Sequence, residues 1–320
     1  MTATPPGVIS YVAYGWEGAD TYGTVSTSIG KAFGHGVKTP TLSRKNNIEK
    51  VYSQGYRVAQ KLISKKFEGA ITVESVLANP WFFRAVLGTT SSSGSGPYTH
   101  TFTEADTIPS ISIKNDLQLS ADCESVLLGG VVNICTISSV VNELVRVRLD
   151  TGYANETLST TTSAKVADSF DLFTFAHGTL EVPNATPLAL VQNFEATIST
   201  NAEIIAGQGS RLGQAQVGKG IEHNGTISMA MSATADLLEK CLGSATGPSS
   251  TSVDEVATLE MTFTNGSTGT SARSIAMLWT GVQLDEESLP QDPTAVIMED
   301  VTWTARTLTV TAVNNTQTSA

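Results

Sequence analysis

The alternation of apolar and polar residues predicts a chain made mostly of β-strands. Residues 70–76 (AITVESV) place Ile71 and Val73 on one face, and residues 143–154 (ELVRVRLDTGYA) place Arg146 and Arg148 opposite a row of apolar side chains. This period of two is typical of strands with one buried face. The same reasoning predicts further strands at residues 100–103, 110–114, 125–139, 168–182, 226–232, 258–264, 274–284 and 301–313.

Two short helices interrupt the strand pattern. Asn79-Pro80 precedes an apolar run that ends at Gly88, and proline at the start with glycine just past the end marks a helix. Residues 233–242 predict a second helix, which Gly243 ends. A Ser/Gly-rich segment follows each helix, at residues 89–98 and 244–252, and each predicts a flexible loop. Gly129-Gly130 predicts a bulge or a close approach inside the long strand.

The stretch from residue 46 to residue 88 recurs in the second half of the chain. When it is moved by 154 positions, residues 47–60 meet residues 201–214 with six identities. The identical pairs are Asn47 with Asn201, Glu49 with Glu203, Gln54 with Gln208, Gly55 with Gly209, Arg57 with Arg211 and Gln60 with Gln214. After a slip of two residues, Gly69 meets Gly225. Solenoid repeats have periods of about 20–50 residues, so a repeat this long predicts a duplicated domain.

The repeat divides the chain of 320 residues into two domains of ordinary size. The predicted boundaries are 1–155 for the first domain with its N-terminal arm, 156–166 for a polar linker and 167–320 for the second domain. Each domain is expected to be mainly β with one short helix, as a sandwich or a partly rolled sheet with the helix packed on it.

The charge excludes one class of function. The formal net charge is -11, which disfavours binding to nucleic acid because such binding needs clustered Lys and Arg to neutralise phosphates. Basic residues cluster at Arg44-Lys45, Lys50 and Lys65-Lys66, and we interpret them as a solvated edge or a contact to a neighbouring subunit. No run of about 18 apolar residues is present, so no membrane span is predicted.

Candidate groups for catalysis are few. None of the four histidines is paired at i, i+4, and no GxSxG, GxGxxG or P-loop sequence is present. His35 and His223 are expected in loops. The acidic clusters at Asp285–Glu287 and Glu299-Asp300 lack the spacing of a calcium loop and favour solvated turns. Cys135 and Cys241 are interpreted as core residues. No enzyme activity, cofactor or metal is predicted.

The sequence resembles the tail tube proteins, or major tail proteins, of long-tailed, non-contractile bacteriophages and related archaeal viruses. Residues 41–88 (TLSRKNNIEKVYSQGYRVAQKLISKKFEGAITVESVLANPWFFRAVLG) and 127–154 (LLGGVVNICTISSVVNELVRVRLDTGYA) carry the resemblance. It covers most of residues 40–155 and, more weakly, residues 190–313. The second copy lacks the Asn-Pro-aromatic helix start and has Asp236 where the first has Trp81.

The resemblance implies a structural virion protein. It implies tail-tube-like half-barrel domains whose sheets join those of neighbouring subunits into a β-barrel ring, and two such domains per chain imply a homotrimeric ring with pseudo-hexameric symmetry. Stacked rings would form the tail tube, assembled in the host cytoplasm, and DNA would pass through the lumen during genome ejection without specific binding. The implied partners are other copies of the chain, together with tape-measure and tail-terminator or baseplate proteins.

The repeated polar residues are the candidate subunit or ring contacts. They are Asn47, Glu49, Gln54, Arg57 and Gln60 in the first copy and Asn201, Glu203, Gln208, Arg211 and Gln214 in the second. The segments that contain them are predicted to be extended hairpins, and replacing Arg57 or Arg211 is expected to impair assembly more than folding.

Two other classes of function stay open at this point. An adhesin or carbohydrate-binding surface protein would expose aromatic platforms, but Trp16, Trp81, Trp279 and Trp303 mostly lie in apolar contexts that favour the core. An enzyme of unknown class would depend on the histidines or on Asp285–Glu287.

Overall fold

The computed structural model describes residues 11–18, 22–26, 29–38, 40–117, 123–159, 172–183, 185–231, 236–244, 246–253, 255–289 and 296–316. Within these ranges the chain is mainly β, as predicted. The strands of residues 11–159, the first half, are β1 Tyr11–Trp16, β2 Lys31–Ala32, β3 Thr41–Lys45, β4 Ile48–Val51, β5 Lys61–Ser64, β6 Glu68–Val76, β7 Gly88–Ser93, β8 Tyr98–Glu104, β9 Ile111–Asp116, β10 Glu124–Val140, β11 Arg146–Tyr153 and β12 Asn155–Ser159.

Residues 172–316, the second half, continue the strand series. These strands are β13 Gly178–Glu181, β14 Val191–Ser199, β15 Glu203–Ala206, β16 Gly213–Val217, β17 Glu222–Ala230, β18 Val256–Thr264, β19 Ser274–Ser288, β20 Met298–Ala305 and β21 Thr307–Asn314. Two helical turns of the 3-10 type lie at Phe175–His177 and Gly269–Ser271.

Both predicted α-helices are present and short. Helix α1 spans Phe83–Leu87 and α2 spans Asp236–Leu242. The turn before α1 is held by hydrogen bonds from the Phe83 and Arg84 N–H groups to the Pro80 and Trp81 carbonyls, so the aromatic residues enter the core before the helix begins. No helix of the described residues is long and apolar enough to cross a membrane.

One large antiparallel sheet runs through both halves of the chain. Its strand order is β3-β6-β11-β10-β14-β17-β20-β19. The first four strands come from the first half and the last four from the second half. The two groups meet where β10 pairs with β14, with Ile134 opposite Ser199 and Val140 opposite Asn193.

Two further sheets cover the inner face of the large sheet. One has the order β2-β1-β9-β10-β12, and the other has the order β13-β18-β19-β21-β8-β7. The long strands β10 and β19 each belong to the large sheet and to one covering sheet. Each has a glycine at positive φ where it passes between them, Gly129 at 62° and Gly281 at 62°, a conformation that costs other residues energy. The bulge predicted at Gly129-Gly130 is therefore confirmed, with a register shift between Leu127 and Gly130.

The core lies between these layers. It contains the alternating side chains predicted to face inward, including Ile71, Val73, Val147 and Leu149. Trp279, Trp303 and Phe194 form one aromatic group, with ring centroids 5.1 Å apart for the two tryptophans. Burial of such large side chains accounts for most of the stabilisation of the fold.

Three local predictions were wrong. Residues 89–98 do not form a flexible loop, because β7 and β8 form a hairpin there and β8 pairs with β21 across the two halves. Residues 301–313 form two strands, β20 and β21, because the inward positions change phase after Arg306, from Trp303 and Ala305 to Leu308 and Val310. In the predicted strand 168–182, residues 175–177 form a 3-10 turn and residues 168–171 lie outside the described residues.

The N-terminal arm and the predicted linker are partly described. The arm contributes β1, which pairs with β9 along its whole length, and residues 1–10 lie outside the described residues. Of the predicted linker, residues 156–159 lie in β12, which pairs with β10. Residues 160–166 lie outside the described residues.

We expect Gly225→Ala to destabilise the protein. A Cβ at Gly225 would overlap the Glu195 carbonyl and the Trp303 ring, so the change should lower the free energy of unfolding by about 2 kcal/mol. Gly220→Ala is the matched control, because nothing lies within 4 Å of its added Cβ, and its effect should stay within about 0.5 kcal/mol. Urea denaturation measures both variants. Equal stability of the two variants would contradict the packing described here.

Candidate assembly surface

The ten predicted contact residues lie in two similar hairpins. Hairpin A comprises residues 46–66 and contains β4 and β5; hairpin B comprises residues 200–220 and contains β15 and β16. Both hairpins project from the large sheet, because A connects β3 to β6 and B connects β14 to β17. The prediction that these segments are extended hairpins is confirmed.

Four of the ten residues make the same bonds inside their own hairpins. Asn47 and Asn201 adopt left-handed backbone conformations, with φ of 47° and 49°. Their side-chain amides donate to the carbonyls of Lys66, at 3.0 Å, and Gly220, at 2.9 Å. Glu49 and Glu203 form ion pairs with Lys65, at 2.6 Å, and Lys219, at 2.8 Å. These bonds fix the base of each hairpin.

Sequence reasoning missed Lys65 and Lys219 as partners of these glutamates. The two lysines are identical and 154 positions apart, the same spacing as the six identities that were found. They lie beyond the fourteen-residue window of the repeat, and from the sequence Lys65 is placed in a basic cluster and Lys219 is given no role. Extending the same offset to the second strand of each hairpin finds them.

Gln54 and Gln208 lie at the tips of the hairpins. Each precedes a glycine at positive φ, Gly55 at 87° and Gly209 at 88°, and both glutamines are exposed, as are Gln60 and Gln214. Glycine is suited to a turn with this conformation.

The two arginines differ in their surroundings. The Arg211 guanidinium donates from Nε to the Lys65 carbonyl, at 2.9 Å, and from Nη2 to Asn46 Oδ1, at 2.8 Å. Its own carbonyl accepts a hydrogen bond from the Phe67 N–H, also at 2.9 Å. Arg57 is exposed and makes no such bond within the part of the chain that the structure describes. Arg211 therefore joins the two halves of one chain.

Hairpin B lies against the first half through further contacts. The Gly213 N–H donates to the Ala154 carbonyl, at 3.3 Å. The Lys66 ammonium donates to the Ile204 carbonyl, at 2.6 Å, and the Gln216 amide donates to the Ile108 carbonyl. Away from the hairpin, Glu104 on β8 accepts from His223 Nε2 and from the Leu308 N–H, both at 2.7 Å.

Hairpin A extends away from the rest of the chain with apolar side chains in solvent. The exposed fractions are 58% for Tyr52, 61% for Tyr56, 68% for Val58 and 66% for Leu62. An apolar group this exposed on one element is typical of an interaction surface.

The large sheet has two outer strands. Strand β3 pairs with β6 on one side, and the β19 segment 283–288 pairs with β20 on one side. No strand of the described residues pairs with their other sides. Open sheet edges have unpaired N–H and C=O groups that can pair with another chain.

The solvent face of the large sheet is polar and differs between the two halves. It carries hydroxyl side chains of Thr41, Ser43, Thr72, Thr136, Ser138, Thr197, Thr226, Ser228, Thr302 and Thr304. In the first half, its carboxylates are paired, Glu74 with Arg146 at 3.4 Å and Asp150 with Arg148 at 3.2 Å. In the second half, Glu195 and Asp300 have no cation within ion-pair distance among the described residues.

Arg44 on β3 holds the outer strand to the first half. Its Nε and Nη2 donate to the two Glu156 oxygens at 2.6 and 2.5 Å, and Nη2 also donates to Ser125 Oγ at 3.1 Å. Burial acts to raise the pKa of Glu156, but the hydrogen bonds from Arg44 and Ser125 lower it below the ordinary glutamate value. The carboxylate is therefore ionised when it binds Arg44.

The residues considered for catalysis or for ligand binding lie within strands or in the core. The prediction that His223 lies in a loop was wrong, since it is buried in β17. Asp285–Glu287 and Glu299-Asp300 lie in β19 and β20 rather than in turns. Trp81, Trp279 and Trp303 are buried and form no exposed platform. No group of three or more His, Cys, Asp or Glu side chains in the described residues could hold a metal ion.

Comparison with known proteins gives one match to a family. A family model described as "Phage tail tube protein" matches residues 7–305, which is nearly the whole chain. No curated protein matches the sequence.

We expect Arg211→Ala to lower the stability of the unassembled protein, and Arg57→Ala to leave it unchanged. Loss of the Arg211 bonds to Lys65 and Asn46 should cost about 1 kcal/mol in the free energy of unfolding. Arg57 makes no such bond among the described residues. Chemical denaturation at a concentration where the protein is monomeric measures both, and a larger loss for Arg57→Ala would contradict this assignment of roles.

We expect the Arg44–Glu156 pair to contribute stability that is lost in acid. The folded protein lowers the pKa of Glu156, so the contribution is present above the unfolded-state value of about 4.3 and disappears as the pH falls through the lower folded-state pKa. Because Arg44 is half exposed, the loss should be about 1 kcal/mol or less. Stability measured from pH 7 to pH 3 should fall less steeply for Glu156→Gln than for the wild type; identical slopes would contradict the pairing.

Proposed function

Because the chain belongs to the phage tail tube protein family, and is thus a non-enzymatic structural protein of the virion tail, we propose that its copies close into rings that stack into the genome conduit. Tail tube proteins self-assemble, so the partner of each copy is another copy. The observation that carries the proposal is the β10–β14 junction inside one chain, because it displays the contact that would be repeated between chains.

The proposal includes a duplicated domain, which the matching geometry of the two halves supports. The order β3-β6-β11-β10 is followed by β14-β17-β20-β19. Strands β3 and β6 match β14 and β17 at an offset of 154 residues, while β10 and β11 match β19 and β20 at an offset of 152. Both long strands have a bulge at the matching place, Val132/Ile134 and Leu284/Glu286.

This match corrects one detail of the sequence alignment. No slip is needed between the hairpins and the following strands, because Gly69 lies opposite Tyr153 and His223 lies opposite Ala305. Gly69 therefore matches His223 rather than Gly225. Both glycines nonetheless face an aromatic ring on the next strand, Tyr153 or Trp303, and this similar environment accounts for the apparent match.

A ring follows when the internal junction is repeated between chains. Strand β19 matches β10, and its open edge corresponds to the edge of β10 that pairs with β14. Strand β3 matches β14, and its open edge corresponds to the edge of β14 that pairs with β10. The open edge of β19 in one copy can therefore pair with the open edge of β3 in the next. The contact is therefore head to tail, and such contacts either close into rings or continue as filaments. Three copies would give six similar domains and a barrel of about 24 strands, roughly 45–50 Å across at the backbone.

The solvent face of the large sheet would line the lumen. The covering sheets and helices occupy its other face, and they fit on the wider outside of a ring. On this face, Arg146 and Arg148 are each paired with a carboxylate, and Glu195 and Asp300 have no cation within ion-pair distance among the described residues. The lining would therefore offer little free positive charge to hold phosphate. DNA could then move through without being bound.

Hairpin A would lie on the neighbouring chain, as hairpin B lies on its own first half. Its exposed Tyr56, Val58 and Leu62 side chains would be covered there. The candidate contacts Gln54, Arg57 and Gln60 belong to this surface, whereas Asn47 and Glu49 support it from within. Contacts between stacked rings would also draw on the tips of both hairpins.

We expect the purified protein to form rings or tubes that negative-stain electron microscopy can detect. Class averages should show three-fold symmetry with six similar lobes and a central opening wide enough for duplex DNA. A strictly monomeric species at all salt and protein concentrations tested, confirmed by analytical ultracentrifugation, would count decisively against the proposal.

A further inference from the structure

Two motifs of opposite charge lie on the outer strands of the large sheet. Arg44-Lys45 lies on the outer strand β3, and Glu286-Glu287 lies on the outer segment of β19. These strands form opposite edges of the large sheet, so the two motifs are far apart in strand order in one chain. In a head-to-tail ring, the two edges meet.

The internal junction sets the register at which they meet. Inside the chain, Ile134 lies opposite Ser199, Cys135 opposite Ile198 and Thr136 opposite Thr197. Adding 152 to the β10 positions gives positions on β19, and subtracting 154 from the β14 positions gives positions on β3. These are the offsets that match the rest of the sheet. We propose that the seam between copies pairs Glu286 with Lys45, Glu287 with Arg44 and Ser288 with Ser43 of the next copy. This inference rests on the proposed ring.

The charges and the faces of the sheet fit this register. Lys45 and Glu286 are both exposed on the solvent face. Lys45 lies 3.4 Å from the exposed Glu68 carboxylate of its own chain, and in the seam it would also form a cross-strand ion pair with Glu286 in the lumen lining. Arg44 and Glu287 alternate to the inner face, where Arg44 already binds Glu156. Opposite charges directly across a ladder stabilise it, and like charges destabilise it.

The inner pair also explains the surroundings of Glu287. One carboxylate oxygen, Oε1, is buried without a hydrogen-bond partner among the described residues. Burial raises the pKa of this carboxyl, although a hydrogen bond with Glu299 acts to lower it. A guanidinium brought next to it by the neighbouring copy would supply both the donor and the compensating charge. The site is thus incomplete in a single chain.

Alternative registers do not reproduce these pairs. A shift of two residues in one direction keeps each side chain on its face but places Lys45 opposite Ser288, so the ion pair is lost. A shift of two in the other direction places Lys45 opposite Leu284, which the bulge turns to the buried face. A shift of one residue exchanges the two faces. The charge pattern therefore selects one register.

Cross-linking tests the register directly. Ser43 and Ser288 correspond to Thr197 and Thr136, respectively, whose hydroxyl oxygens lie 3.4 Å apart at the internal junction. In a background with Cys123→Ser and Cys241→Ser, the pair Ser43→Cys and Ser288→Cys should form intermolecular disulfides in assembled protein and give covalent trimers on a denaturing gel. The control pair, Thr41→Cys with Ser288→Cys, is two residues out of register and should cross-link much less. Equal cross-linking of both pairs, or none of the first, would overturn the register.

A charge exchange tests the ion pair. Lys45→Glu and Glu286→Lys should each weaken one seam by about fivefold, an effect that is compounded around a ring, and the double variant should restore assembly. Glu195→Lys is the matched control for Glu286→Lys, since it makes the same change of charge on the same face but in the middle of the sheet. Assembly is measured by sedimentation and electron microscopy, with the thermal stability of the monomer as a check on folding.

The outcomes separate this inference from the tube proposal. If the wild-type protein forms rings but the double variant assembles no better than the single ones, the register is overturned and the ring stands. If the wild-type protein forms no ring under any condition, the ring itself is overturned, together with the seam.

Discussion

The backbone ladder between β10 and β14 is the interaction on which the rest of the structure depends. It converts two four-stranded units into one sheet, and each unit contributes an edge that would otherwise be open to solvent. The long strands β10 and β19 then leave the large sheet at glycines with positive φ and continue into the covering layers. The core between the layers therefore runs across the junction rather than stopping at it, and the two halves stabilise each other.

Side chains reinforce the junction at the end where hairpin B begins. Arg211 joins hairpin B to the first half, and Glu104 binds His223 and the N–H group of Leu308 in the second half. These bonds join residues more than a hundred positions apart. The same kind of hairpin occurs twice. Hairpin B packs against the first half of its own chain, whereas hairpin A extends into solvent. A difference of environment, rather than of internal structure, thus distinguishes two hairpins that the sequence makes alike.

Local features were predictable from the sequence, and non-local ones were not. Alternation identified the strand around Ile71 and Val73, and Gly129-Gly130 identified the bulge, because both depend on neighbouring residues alone. The Ser and Gly content of residues 89–98 is typical of a loop. These residues form the hairpin β7–β8 because β21 forms backbone hydrogen bonds with β8. At Arg306, the alternation of apolar and polar residues changes phase in the sequence itself. That this change separates two strands depends on the strands that pair with β20 and β21. Of the ten candidate contacts, Asn47 and Glu49 recur with their counterparts because each hairpin must close its own base. The packing of hairpin B against the first half depends on how the two halves pair. The periodicity of apolar residues carries no information about that pairing.

The hairpin β7–β8 would make the six junctions of the proposed ring unequal. Inside a chain, this hairpin extends from the first half onto β21 and straps the two halves together. In the second half, the described residues between α2 and β18 form no strand, so they would supply no such strap to a junction between chains. A ring of three chains would have six similar domains but two kinds of junction. The three junctions within chains would be stiff, and the three junctions between chains would be flexible and act as hinges. Bending of the tail, and the first step of its disassembly, would be concentrated at the hinges.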